Sequence, residues 1–284
     1  MNNEYKRVLY IDLSEESSEF KIHEDLFPYI GGIGISTRIM LDNLEDSPVI
    51  LTAGPLCGYF PYVSKSNLLY INQNSLVELY GGGDIAGMMT MADIDAFVFK
   101  GQTEKYLGIS IFEADVSIDS LDADSFQNSP ASFSISDNGA FSLGYFSFGD
   151  IRGKNPFPKG GVSVTIESTD SLELKNYYDY ERLYSKILDD YKMLTVEPRN
   201  NPSCFGCPIG CDKSKIGEED LNVAILPRCL ISCAYAESIY KDIPNVYACL
   251  NSVGYNYHHN ELEALPSLVG DTRIKIDDIL ENRT

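Results

Sequence analysis

The sequence predicts an α+β protein, with a β-rich domain over residues 1–178 and a small helical domain over residues 179–284. Three observations lead to this fold class. A length of 284 residues is enough for one large domain or two modest ones. Short apolar segments, alternating or continuous, are typical of strands and dominate the first part. Segments with apolar residues three and four positions apart are typical of helices and dominate the second.

The β-rich domain is predicted to begin with a hairpin at residues 6–24, where apolar and polar residues alternate around a polar turn. Glycines at 31–34 then precede a helical pattern that runs to Leu44. Residues 80–101 predict a glycine-rich turn, a short helix and a strand. The other predicted strands are "SPVILTAGPLCG", "NLLYINQ", "YLGISIFEA", "ASFSISDN", "AFSLGYFSF" and "GGVSVTIES".

The second part is predicted to be helical. An amphipathic helix begins near residue 178 and is expected to end at Pro198. Three shorter helices are predicted at "LPRCLISCAYAESIYK", "IPNVYACLNSVG" and "HHNELEALPSLVG". Residues 271–284 are interpreted as a polar chain end.

The charge balance excludes two kinds of partner. Acidic residues number 42 and basic residues 22, which gives a net charge of −20. Such a surface repels nucleic acid and anionic membranes. The chain has no apolar run of the ~20 residues that a transmembrane helix needs, and its N-terminus lacks a secretion signal. We therefore expect a soluble, cytoplasmic protein.

The cysteines carry the strongest chemical signal. The chain has seven, and Cys204, Cys207 and Cys211 form a Cys-x2-Cys-x3-Cys motif. An odd, clustered set without a secretion signal argues against disulfides. The spacing favours a [4Fe–4S] cluster. Zinc, which more often uses two paired knuckles, and unligated thiols remain alternatives.

A cluster of this kind normally has four thiolate ligands, so a fourth is needed. Cys229 is the first candidate, and Cys233 is the alternative. Their spacing of four residues predicts that they share one face of a helix. A helical cysteine is also often a small buried apolar residue. Cys57 and Cys249 are expected to lie in the core.

The segment "PSCFGCPIGC" resembles the cluster-binding segment of the aldehyde:ferredoxin oxidoreductases, tungsten enzymes with a bis-pterin cofactor beside one [4Fe–4S] cluster. The resemblance implies a β-rich base under the pterins, followed by helical domains. It extends in order from about residue 5 to about residue 270. The other similar segments are "YIGGIGISTRIML", "ILTAGPLCG", "YGGGDIAGMMTMADIDAFVFKG", "KGGVSV" and "LNSVGYN".

The resemblance also implies a set of pterin-contacting positions, several of which are altered. Family arginines align with Lys65 and Lys159, and lysine lacks the planar fork that grips phosphate. Two family aspartates align with Asn251 and Asn256, which carry no charge. A glutamate-rich family segment near tungsten aligns with "AILPRCLIS", which has no carboxylate, so no catalytic residue is assigned. The implied pterin positions are Lys65, Gly81, Gly82, Gly83, Lys159, Gly160, Gly161, Asn251, Gly254 and Asn256.

The first functional hypothesis is a shortened family-like protein that binds a [4Fe–4S] cluster for electron transfer, or as a subunit of a larger oxidoreductase. Family members are longer, and their C-terminal half has no counterpart here, so a catalytically complete single chain is not expected. The partner would be a ferredoxin-like protein or a complementary subunit. One alternative is a tungstopterin aldehyde oxidoreductase half completed by a second chain. The other is a non-catalytic remnant with zinc or no cofactor.

Overall fold

A computed structural model of the chain describes residues 4–136, 138–144, 146–148, 151, 155–157, 159–200, 204–211 and 223–283. Over these residues, two six-stranded sheets are followed by helices. The predicted α+β class, with a β-rich N-terminal domain before a helical part, is confirmed. None of the helices in these ranges is long and apolar enough to cross a membrane.

The first sheet contains the predicted N-terminal hairpin. Its strands are β1 (Lys6–Asp12), β2 (Ser17–His23), β3 (Val49–Thr52), β4 (Ser66–Asn72), β5 (Ser75–Gly81) and β6 (Ala96–Lys100). Their order is β2-β1-β6-β3-β4-β5. Strands β1 and β6 are parallel, and all other neighbours are antiparallel.

The second sheet has the order β11-β10-β9-β12-β7-β8, with β7 and β12 parallel. Its strands are β7 (Tyr106–Phe112), β8 (Asp115–Leu121), β9 (Phe133–Ser136), β10 (Gly139–Ser142), β11 (Phe146–Ser147) and β12 (Gly161–Glu167). The segment "AFSLGYFSF" is therefore two strands and not one. Leu143 and Gly144 both adopt positive φ, 51° and 67°, and this turn separates β10 from β11.

Eight α-helices occur in the described ranges. They are α1 (Gly32–Asp42), α2 (Ile85–Met91), α3 (Ala123–Asn128), α4 (Tyr177–Asp189), α5 (Ile225–Leu230), α6 (Glu237–Tyr240), α7 (Ile243–Ser252) and α8 (His259–Glu281). Helix α4 ends before Pro198, because a short 3₁₀ turn at Asp190–Met193 follows it.

Two helical predictions are wrong. The polar chain end is mostly helix, because α8 continues through Pro266 and Gly270. Its buried side chains recur every three or four residues beyond those two breakers, and the helix packs against α1 and α5. The segment from residue 226 to 241 is not one helix, because α5 ends at Leu230 and a short 3₁₀ turn precedes α6. Cys229 and Cys233 therefore do not share a helix face.

The core has two parts. Apolar residues of β1, β3 and β6 that face the second sheet form one part with β7, β9 and β12. The opposite face of the first sheet packs against α1, α5, α7 and α8 and forms the other part. The second part joins residues from both sides of position 178, so the domain boundary there stays a prediction.

A buried ion cluster fastens the helices to the first sheet. Glu78 of β5 accepts hydrogen bonds from Arg228 Nε of α5 at 2.9 Å and from Arg273 Nη1 of α8 at 2.7 Å. The Tyr80 hydroxyl also donates to it, at 2.5 Å. Burial by itself would raise the pKa of Glu78, but the bond and charge of Arg228 outweigh it, and the pKa is lowered.

We expect Glu78→Gln to destabilise the protein at pH 7 by about 2 kcal/mol, because two arginines lose their shared carboxylate. A carboxylate whose pKa is lower in the folded state stabilises that state fully at pH values above its pKa in the unfolded chain, about 4.3. This stabilisation is lost as the pH falls through the pKa of the folded state. The variant should therefore show a shallower loss of stability on acidification. Urea unfolding at a series of pH values measures both effects.

The matched control is Asp119→Asn, since Asp119 is an exposed carboxylate on β8. This change should leave the stability at pH 7 within about 0.5 kcal/mol of the parent. If the parent and Glu78→Gln lost unfolding free energy equally steeply as the pH falls, the assigned role of Glu78 would be contradicted.

Candidate functional site

Four of the seven cysteines line one small cavity. The cavity lies between the cysteine loop, residues 204–211, and the segment that leads into β4. Its volume is about 20 Å³, room for about one water molecule. Among its lining residues none is Asp, Glu or His. The lining residues are Tyr62, Ser64, Lys65, Leu194, Val196, Cys204, Cys207, Ile209, Cys211 and Cys233.

The cysteine loop is built from two tight turns. Gly206 and Gly210 have φ values of 66° and 60°, a region that glycine enters without steric cost. The backbone N–H of Cys207 donates to the Cys204 carbonyl at 2.9 Å. These turns direct the cysteines of the motif towards the same cavity. Residues 201–203 and 212–222, which flank the loop, lie outside the described residues.

Phe205 docks the loop onto the N-terminal domain. Its N–H donates to the Gly83 carbonyl at 3.2 Å. Its ring lies against Gly87 of α2, so closely that a Cβ at position 87 would overlap ring atoms. The ring also contacts Gly58, where a Cβ would be 3.2 Å from it. The sequence offered no signal for this contact, because it joins residues more than a hundred positions apart.

Cys233 enters the cavity from the helical side. Helix α5 ends in a Schellman turn, with Ser232 N–H bonded to the Pro227 carbonyl at 2.9 Å and Ile231 N–H to the Arg228 carbonyl at 3.2 Å. Ile231 occupies the left-handed position with a φ of 54°. The next N–H, that of Cys233, donates to the Tyr62 carbonyl at 2.6 Å.

Cys229 lies elsewhere. Its side chain is completely buried against the start of α1, where the Sγ would be 3.2 Å from a Cβ on Gly34. Burial raises the pKa of its thiol to about 12, although a hydrogen bond from the Gly34 backbone opposes the shift. Cys229 does not line the cavity that contains Cys233. The choice between Cys229 and Cys233 as a fourth ligand stays a prediction.

The electrostatics of the cavity are set by thiols and one lysine. Burial raises the pKa of Cys207 to about 11, and the neighbouring Cys204 adds to the shift. A metal centre would therefore have to displace protons from these thiols. The side chain of Lys65 is buried, with 1% of its surface exposed, and lies in the cavity wall. A nearby cation favours thiolates over thiols.

No group of three or more His, Cys, Asp or Glu side chains within the described ranges is placed to hold a metal ion. A zinc ion would need its thiolates within about 2.3 Å of one centre. In a [4Fe–4S] cube each cysteine binds a different iron, so the sulfurs stand farther apart. The donor set suits such a cluster. The cavity volume means that the sulfurs would have to move outwards to admit it.

The glycines implied as pterin contacts are covered by the chain itself. A Cβ on Gly81 would lie 2.7 Å from the Phe148 ring, and one on Gly83 would overlap the Ser142 side chain. Gly82, between them, is buried. These glycines therefore allow the β10–β11 hairpin, and Phe148 directly after it, to pack closely against the end of β5.

The remaining implied pterin positions lie on other elements of the fold. Lys159 is largely exposed and forms an ion pair with Glu104. Gly160 and Gly161 lie at the start of β12, where the Gly161 N–H donates to the Lys105 carbonyl at 3.1 Å.

The two asparagines and Gly254 lie near α7. Asn251 lines an open cavity of about 440 Å³ between α4 and α7. Asn256 accepts a hydrogen bond from Lys175 Nζ at 3.0 Å, and Lys175 lines the same cavity. Gly254, with a φ of 107°, makes the turn that follows α7. In the described residues the implied positions are divided between β5 with the adjoining Lys65, the start of β12 and the region of α7, and their binding of a pterin stays a prediction.

The fold and the cysteine cavity define a two-sheet α+β domain joined to a cysteine-bearing helical part. Comparison with known families gives a match within the two-sheet domain. Residues 8–130 match the model described as aldehyde ferredoxin oxidoreductase, N-terminal domain. This stretch, less than half of the chain, is therefore similar to the N-terminal domain of the aldehyde ferredoxin oxidoreductases. The resemblance read from the sequence is confirmed there.

Among solved structures, the chain resembles a chain of the active site complex BamBC of benzoyl coenzyme A reductase, solved in complex with 1,5-dienoyl-CoA. The TM-score is 0.53 at 20% sequence identity, which shows a shared fold. The match covers 72% of this chain and 37% of that chain, so this chain spans well under half of its length. No curated protein matches the sequence.

Proposed function

We propose that the protein is an aldehyde ferredoxin oxidoreductase-like iron–sulfur protein, which binds a [4Fe–4S] cluster on the loop that carries Cys204, Cys207 and Cys211. The observation that carries this proposal is the cavity that four cysteines line with no Asp, Glu or His among its lining residues. When bound, the cluster would accept and release single electrons. The chain's own contribution is to hold the thiols, exclude water and supply the Lys65 charge.

Zinc is the weaker choice for this cavity. A zinc site closes four ligands around one ion and more often uses two paired Cys or His knuckles, whereas this loop carries a single Cys-x2-Cys-x3-Cys motif. Thiolates that bind four separate irons tolerate the more open arrangement of a loop facing an opposite wall. No disulfide joins any of the seven cysteines, all of which lie in the described residues, and this suits a reducing compartment such as the cytoplasm.

Catalysis on a tungstopterin is not part of this proposal. The chain's own side chains cover Gly81 and Gly83, and Lys159 lies at the surface. The cluster would instead relay electrons to or from a complementary oxidoreductase subunit or a ferredoxin-like partner. The solved BamBC structure, which is described as an active site complex, supports the first kind of partner by analogy.

Anaerobic purification followed by metal and sulfide analysis tests the proposal. We expect about four iron and four sulfide per chain, with broad absorption near ~400 nm. Tungsten or molybdenum should be absent. One zinc per chain, or a colourless protein with no metal, would overturn it. Stoichiometric tungsten with pterin would support instead the half-enzyme completed by a second chain.

Lys65 should tune the reduction potential of the cluster. Lys65→Met removes a buried positive charge from the cavity wall, so the more negative, reduced cluster loses stabilisation and the potential falls. At an effective dielectric constant of about 20, a charge several ångströms away contributes about 2 kcal/mol. This corresponds to a fall on the order of 80 mV for one electron. An EPR-monitored redox titration measures it.

Lys159→Met is the matched control, because Lys159 aligns with a family arginine as Lys65 does but lies exposed beside Glu104. This control should leave the potential within about 10 mV, since exposed charges are screened. Equal potentials for the parent and Lys65→Met would show that Lys65 does not face the cluster.

A further inference from the structure

We infer that Cys233, and not Cys229, supplies the fourth thiolate, so that all four cluster ligands come from this chain. This inference rests on the proposed cluster site and goes beyond it by naming the ligand that closes it. The loop cysteines come from one segment, and Cys233 comes from a separate segment that lines the same cavity. Ligands from two segments can enclose a cube, whereas three from one loop leave one iron open.

The other three cysteines are completely buried in the core. The thiol of Cys57 bonds to Ser64 and Thr90. Cys249 is completely buried in α7. The carbonyl of Cys229 packs so tightly against Gly31 and Gly32 that a Cβ on either would be 2.9 Å from it. Bringing the Cys229 sulfur to the cavity would require α5 to separate from α1.

The backbone that leads to Cys233 is fixed by the turn that ends α5. Ile231 is a β-branched residue in the left-handed region, which is rare and is held only where the surroundings enforce it. The side chain of Ile231 is completely buried, and its Cγ1 would be 2.7 Å from a Cβ on Gly32. The turn it makes carries the chain away from the α5 axis and delivers Cys233 to the Tyr62 carbonyl.

The assignment has a chemical consequence. A cube with four thiolates has no iron that is open to substrate, so it suits electron transfer and not chemistry at iron. It also follows that a partner chain would not need to contribute a ligand.

The test compares anaerobically purified full-length parent, Cys233→Ser and Cys229→Ser proteins by iron content and EPR. In Cys233→Ser we expect about three irons per chain and the EPR signal of a three-iron cluster after mild oxidation. Cys229→Ser should keep the parent's iron and spectrum. The reverse pattern, or full iron in both variants, would overturn the inference while the proposed function stands. A parent protein without iron would instead overturn the proposed function.

Alkylation of the parent protein keeps the inference testable if Cys233→Ser does not fold. Iodoacetamide should label Cys233 only after the cluster has been removed, since Cys233 is half-buried and reachable once it is unligated. Cys229 should stay unlabelled in both states, because it is completely buried. Equal labelling of Cys233 with and without the cluster would overturn the assignment.

Discussion

Replacing Cys207 by serine should leave the protein without a complete four-iron cluster. Cys207 is the middle cysteine of the motif and lies between the two loop turns, and its N–H bond to the Cys204 carbonyl fixes the first turn. Cys204, Cys211 and Cys233 then remain, so three thiolates are left as in Cys233→Ser, and we expect iron to fall from about four per chain to about three or fewer, with weaker absorption near ~400 nm. Iron analysis and the visible spectrum of anaerobic protein measure this.

Cys249→Ala is the control for this experiment. Cys249 is completely buried and lies outside the cavity, so its replacement should cost about 1 kcal/mol of stability and no iron. Full iron in Cys207→Ser would place the cluster elsewhere or exclude the loop from ligation.

Gly54→Ala should strongly destabilise the contact between the first sheet and α5. Gly54 follows β3, and the Leu230 carbonyl at the end of α5 lies so close that a Cβ on Gly54 would overlap it. The overlap involves backbone and not a flexible side-chain tip, so relief requires α5 to shift. We expect a loss of about 3 kcal/mol in the free energy of unfolding, measured by urea denaturation.

Gly270→Ala in α8 is the opposite case. No heavy atom lies within 4 Å of a Cβ built on Gly270, so alanine there should gain about 0.5–1 kcal/mol from helix propensity alone. Equal effects of the two substitutions would contradict the close docking of α5 on Gly54. A Gly54→Ala protein that also loses iron would connect this docking to the position of Cys233.

The sequence predicted those elements whose signals are local. The β1–β2 hairpin, α1 and most strands follow from alternation, glycines and helical spacing over fewer than about twenty residues. The end of α5 was missed because Ile231 has no preference for the left-handed region, and tertiary packing against Gly32 holds it there. Helix α8 was predicted to end at Gly270 because the residues after it are mostly polar, and their buried stripe is explained only by the partner helices.

In the candidate site, too, the features with local signals were predicted and those that depend on long-range packing were not. The spacing of Cys204, Cys207 and Cys211 is a local signal, and the structure places all three at one cavity. The choice between Cys229 and Cys233 depended on a helix that does not continue. The sequence also contained no signal that Gly81 and Gly83 pack against Phe148 and Ser142, because these residues lie more than fifty positions away.

The docking of Phe205 has a consequence for how the protein matures. The loop is held by its backbone bond to Gly83 and by the ring on Gly87, contacts that involve no sulfur. Many small metal sites order their ligands only when the metal binds. Because these contacts do not depend on a cluster, loading of the proposed cluster would be a late event, separable from docking of the loop. An apoprotein would then be a competent acceptor for a scaffold that delivers clusters, and oxygen damage would leave a chain that can be refilled without refolding.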